Sequence, residues 1–153
     1  MTPLPIERET VIVRMNGIQG EILELQTLAR IPFKEFAGGV GFKLAQYHLH
    51  RALEGVFHIA AHVLSRIPGG NEGGGYKEMA RLLGEKGIVG RDFADTKLYA
   101  MAGYRNRLVH FYAEITPEEI YKLLGNNLGD IELFLKSIKS VLQNPDRFGL
   151  AVK

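Results

Sequence analysis

The chain has 153 residues, 46% hydrophobic and 24% charged, which suits one folded domain with a real core and excludes a disordered or fibrous chain. It contains no cysteine, so a disulfide scaffold, a thiol nucleophile and a thiolate metal site are all excluded. Nineteen Lys and Arg against 17 Asp and Glu give a formal charge of +2, which is not the footprint of a strongly basic nucleic-acid binder, although a local phosphate site remains compatible with it.

The first residues, MTPLPIERE, lack the apolar segment of a secretory leader. No apolar run approaches the ~18–20 residues that a membrane helix needs. A soluble, cytoplasmic protein with no membrane partner is expected. Residues 9–28 carry Val11, Met15, Ile18, Ile22, Leu25 and Leu28 at helical steps, with Gly17 and Gly20 weakening the helix without ending it. Ile31-Pro32 and Gly38-Gly39 mark a break. A second helix is expected over residues 42–66, with a stripe from Ala45 through Leu49, Ala52, Val56, Ile59 and Val63 to Ile67. Pro68-Gly69-Gly70 ends it, and residues 71–75 form a glycine-rich loop. That loop lacks the Gly-Lys-Ser/Thr of a phosphate cradle and reads as a linker.

Residues 76–86 form a short amphipathic helix around Met79, Leu82 and Leu83. A longer one starts near Arg91 and reaches at least Val109. The last helix starts with Thr116 as cap, Pro117 at the first helical position and Glu119 closing the capping box. Its stripe runs from Ile120 to Leu142, with a kink possible at Gly125 and Gly129. No window shows strand alternation. The expected fold is all-α: residues 1–153 form a single domain, an antiparallel bundle of four long helices and one short one.

The segment from Ala102 to Tyr112 carries the chemistry. At about 100° per residue, Leu98, Met101, Arg105, Leu108 and Tyr112 share one face. An arginine in an apolar stripe needs a carboxylate, carbonyls or a phosphate beside it, because a buried unpaired guanidinium costs several kcal/mol. Asn106 and His110 share the neighbouring face. A fixed cation, an amide, an imidazole and a phenol at one helix end can hold a phosphodiester and move protons. Spacing alone favours a plainer arrangement, with Arg105 on a core carboxylate and His110 and Tyr112 as satisfied core or interface residues.

Arg105 followed by four residues and then His110-Phe111-Tyr112 resembles the arginine–histidine motif of the HEPN (higher eukaryotes and prokaryotes nucleotide-binding) superfamily. Asn106 directly after the arginine fits that superfamily, and the trailing tyrosine resembles its HepT-like toxin branch. Arg51-Ala52-Leu53-Glu54 is similar to the branch's Arg-Ala-x-Glu signature, and the resemblance covers roughly residues 44–141. It implies a HEPN-like bundle and a metal-independent endoribonuclease toxin of a type VII-like toxin–antitoxin pair, with no cofactor. It further implies that Arg105, His110 and Asn106 are catalytic, that the site forms at a homodimer cleft, and that RNA is the substrate. A ribose 2′-hydroxyl would attack the adjacent phosphate. An imidazole, ordinarily titrating near 6.5, would move the proton, while Arg105 stabilises the developing charge. The cognate antitoxin would be a minimal nucleotidyltransferase that adenylylates Tyr112, adding bulk and negative charge at the phosphate site. Glu54 and Arg51 would support the site, with Glu54 as the carboxylate near Arg105.

Glu54, His58 and His62 fall at four-residue steps on one helix face, near His48 and Arg51. A histidine pair at this spacing can bind zinc. Without a further clear ligand it reads as a polar face or as partners for Arg105. The HepT-like branch often has an acidic residue where this sequence has His58. His50 falls on another face with no evident role, and Arg107 points away from Arg105, toward the surface or RNA. A different class of function remains open: a non-catalytic helical subunit that binds a nucleotide or the substrate for a nucleotidyltransferase. Loss of His110 would abolish cleavage but spare mere binding.

Overall fold

The computed structural model describes residues 4–70 and 74–153, and of Tyr112 only the backbone. Positions 71–73 of the glycine-rich loop lie outside the described residues. The helices are α1 (Arg8–Ala29), α2 (Phe33–Gly38), α3 (Gly41–Leu64), α4 (Tyr76–Glu85), α5 (residues 91–110), α6 (Pro117–Asn126) and α7 (Leu128–Gln143). Within α5, residues Ala94–Leu98 form a π-helical turn. Short 3-10 turns follow α5 at Tyr112–Glu114 and α7 at Pro145–Phe148.

The antiparallel bundle expected from periodicity is the fold observed, with α6 and α7 together serving as the fourth long helix. α1 runs against α3 in the opposite sense: Glu7, Arg14 and Glu21 meet His62, His58 and His48 in turn. Gly55 allows this close approach, since a Cβ there would stand 2.6 Å from Ile18 Cγ1. Gly84 plays the same part between α4 and α5, where a Cβ would stand 2.6 Å from that of Ala94. At the end of α7, Arg8 donates to the Leu142 carbonyl at 3.2 Å. Ile6 and Val152 form a parallel bridge that ties the two ends of the described chain together. The core between the helices is apolar, led by Phe36, Phe57, Phe134, Leu49 and Leu53.

Two features depart from the sequence reading. The Pro32–Gly39 break holds the short helix α2, whose Phe36 is fully buried and packs edge-on against Phe42 and, tilted, against Tyr121. Six residues are too few to show a helical period. The last helix breaks rather than kinks: Asn127 leaves the helical region (φ −120°, ψ −2°), between the two glycines that weaken the segment. The Thr116 cap forms, its hydroxyl accepting from the Glu119 amide at 3.2 Å. The Glu119 carboxylate, however, is engaged with Arg107.

Candidate functional site

Leu98, Met101 and Leu108 are buried, so Arg105 emerges from α5 toward α3, as its place in that stripe requires. There its Nε donates to Glu54 Oε1. Its guanidinium carbon lies 4.4 Å from the centre of the Tyr76 ring, and that ring stacks on Phe57 at 4.8 Å with planes 9° apart. A core aromatic, a second ring and a cation thus form one column, a cation–π arrangement that fixes the guanidinium plane. Tyr76 Oη donates to Glu54 Oε2 at 3.3 Å, and Arg105 Nη1 to Asn106 Oδ1 at 3.4 Å.

Glu54 is the hub. His50 Nε2 lies 3.5 Å from Oε1, and His58 Nε2 lies 3.5 Å from Oε2. Partial burial alone would raise the Glu54 carboxyl; the Arg105 guanidinium, aided by His50 and His58, overcomes this and holds it below the usual carboxylate range. Tyr76 is pushed up, first by burial and then by the Glu54 charge. His58 Nδ1 lies 2.8 Å from Arg14 Nη1. A guanidinium can only donate, so Nδ1 accepts and the Nε2–H faces Glu54. A groove of about 350 Å³ opens beside this hub, lined by Arg14, Gly17, Glu21, His50, Arg51 and His58 among others.

The expected residues are therefore brought together unevenly. Arg105, Asn106 and Glu54 form one cluster. Arg51 stands one turn away, donating to Glu21 at 2.7 Å, while Glu21 also holds His48 at 2.6 Å. His110 is exposed at the C-terminal end of α5, beside the exposed Phe111, with ring centres 6.3 Å apart. The backbone of Tyr112 enters the 3-10 turn, and its side chain lies outside the described residues. His62 Nε2 accepts the Glu7 amide at 3.0 Å; burial, then the Arg66 charge, hold its protonation down. Among the described residues no group of three or more His, Asp or Glu side chains could hold a metal ion.

Arg107 is partly exposed and points away from Arg105, as expected: it donates through both terminal nitrogens to Glu119 and covers the Tyr104 ring at 5.2 Å. The Tyr104 hydroxyl is buried without a hydrogen-bond partner among the described residues, and burial followed by the Glu119 charge pushes it well above its ordinary range. His50 is not isolated on another face; it shares the Glu54 oxygen used by Arg105. Tyr76 was overlooked, although its spacing from Met79 and Leu83 places it on the apolar face of α4.

The family described as Ribonuclease HepT-like matches residues 18–138. The chain belongs to that family, the HepT-like ribonucleases. No curated protein matches the sequence. Among solved structures, the cytosolic protein of unknown function YutE from Bacillus subtilis shares the fold, with a TM-score of 0.76 at 17% identity over 92% of this chain and 93% of that one.

Proposed function

We propose that this chain is a metal-independent endoribonuclease toxin that cleaves RNA by attack of a 2′-hydroxyl on the neighbouring phosphorus. The observation that carries this reading is the state of Arg105. It is anchored through Nε on Glu54 and flat on Tyr76, and among the described residues its Nη2 has no hydrogen-bond partner. A guanidinium immobilised in this way is ready to donate to two oxygens of a phosphodiester, with little left to reorganise as charge builds.

In the reaction, the O2′–P bond forms and the P–O5′ bond breaks, leaving a 2′,3′-cyclic phosphate and a 5′-hydroxyl. His110, exposed to solvent, takes the 2′ proton. Asn106, bonded to Arg105, orients the phosphate or the imidazole. The exposed Phe111 beside His110 suits cover by a second copy, consistent with a homodimer cleft. The partner would be a minimal nucleotidyltransferase antitoxin, and adenylylation of Tyr112 would block the site by bulk and charge. The site would then operate in the cytoplasm; no described helix is long and apolar enough to cross a membrane.

Incubating RNA with the wild-type protein and with His110→Ala tests the catalytic part. Cleavage by the first and not the second is expected, and equal cleavage by both would reject the role of His110. Intact mass after co-expression with a neighbouring nucleotidyltransferase tests the regulation. The reading expects a gain in multiples of AMP that disappears in Tyr112→Phe, and persistence of the gain in that variant would contradict it.

A further inference from the structure

We propose that His50 is a second acid–base group of this site, the one that protonates the departing 5′ oxygen. The inference rests on the ribonuclease reading above. Cleavage by internal attack moves two protons: one leaves the 2′-hydroxyl, and one must reach O5′ as the P–O5′ bond breaks. One His110 can take the 2′ proton. A homodimer cleft would bring a second His110, but His50, seated on the carboxylate of Arg105 itself, gives the other proton in its place.

The geometry favours this imidazole. His50 Nε2 lies 3.5 Å from Glu54 Oε1, the oxygen on which Arg105 Nε is seated. Guanidinium and imidazole thus share one anchor, and a phosphate that reaches Arg105 arrives beside His50. The His50 side chain is 42% exposed and lines the open groove between α1 and α3, so a polymer can reach it. The other α3 histidines are committed elsewhere. His48 is held by Glu21, His58 Nδ1 accepts from Arg14, and His62 accepts the Glu7 amide. The polar contact described for the His50 ring is Nε2 with the Glu54 carboxylate, which leaves Nδ1 to face a substrate oxygen. Glu54, Arg105 and, along the groove, Glu21, Arg51, Arg14 and His58 are the charged and titratable groups around it.

The protons balance. Neutral His110 accepts the 2′ proton while the His50 imidazolium gives its own to O5′. Exchange with water then restores both.

A sulfur atom in place of the bridging 5′ oxygen leaves without needing a proton, so it separates an acid from a group that only binds or supports. The preferred linkage is first mapped in an RNA, and two oligoribonucleotides are made with oxygen or sulfur at that position. His50→Gln is expected to lose about 100-fold or more on the oxygen linkage and to stay within a few-fold of wild type on the sulfur linkage. His110→Ala should be impaired on both. Full activity of His50→Gln on the oxygen linkage overturns the inference, as does equal impairment on both linkages. In either case wild-type cleavage leaves the ribonuclease reading standing. A wild-type protein that cleaves neither RNA overturns that reading and the inference together.

Discussion

Arg105 and Arg107 stand two residues apart on one helix, and each rests on a glutamate and an aromatic ring. Their surroundings differ in what remains available. Arg107 spends both terminal nitrogens on Glu119, so the pair closes on itself and ties α5 to the start of α6. Arg105 spends Nε on Glu54 and keeps Nη2 without a described partner, over a ring that stacks into the core. The carboxylate beneath it is shared with two imidazoles. An ion pair saturated at both ends is an architectural tie. One that leaves donors open, beside titratable groups and a solvent groove, can do chemistry.

Exchanging each arginine for lysine should separate the two surroundings by the largest effect. Arg105→Lys keeps the charge but loses the planar fork, and cleavage is expected to fall about 10²–10³-fold. Arg107→Lys should keep RNA cleavage within about 10-fold and mainly lower thermal stability. Initial rates and melting temperatures of the two variants check this, and equal activity losses would erase the distinction. Phe57→Ala removes the floor under Tyr76 and should destabilise the fold by about 3–5 kcal/mol, read from denaturant unfolding.

The acid limb of the stability curve reports on the glutamates beneath both arginines. Glu54 and Glu119 are both held below their ordinary 4.5 in the fold. Their contribution is complete above that value and is lost as pH falls through the lower folded values. His62 has a lowered folded value and accepts a backbone amide, so its share is lost earlier, as pH drops below about 6.5. Unfolding free energy measured from pH 7 to 3 should decline in these two stages. Glu54→Gln should flatten the lower stage, and His62→Gln the upper one. The smallest effect is expected from Thr116→Ala, which removes the α6 cap and should cost about 1 kcal/mol by thermal unfolding, with Arg107–Glu119 still in place.

Much of this architecture was legible because long helices write their buried faces as three- and four-residue steps. The stripes of α1, α3 and α7 are such faces, and Thr116-Pro117 marks a start in local chemistry alone. The short α2 was not legible, since its burial comes from Phe42 and Tyr121, distant in sequence. Within the site, the demand of Arg105 for a carboxylate followed from its place in an apolar stripe, and resemblance pointed to Glu54. The place of His50 was legible in the spacing: it stands four residues before Glu54, at the same step that separates Glu54, His58 and His62, so its ring meets the same carboxylate. The partner of Arg107 was not legible: Glu119 lies beyond a turn, where no periodicity connects the two.

The most direct test of Arg105 and His110 as a phosphodiester-cleaving pair is end-group analysis of RNA incubated with wild-type protein and a metal chelator. Fragments ending in 2′,3′-cyclic phosphate and 5′-hydroxyl groups are expected, with no cleavage where the scissile ribose carries a 2′-O-methyl. Intact RNA, fragments bearing 5′-phosphates, or cleavage at the 2′-O-methyl position would contradict it.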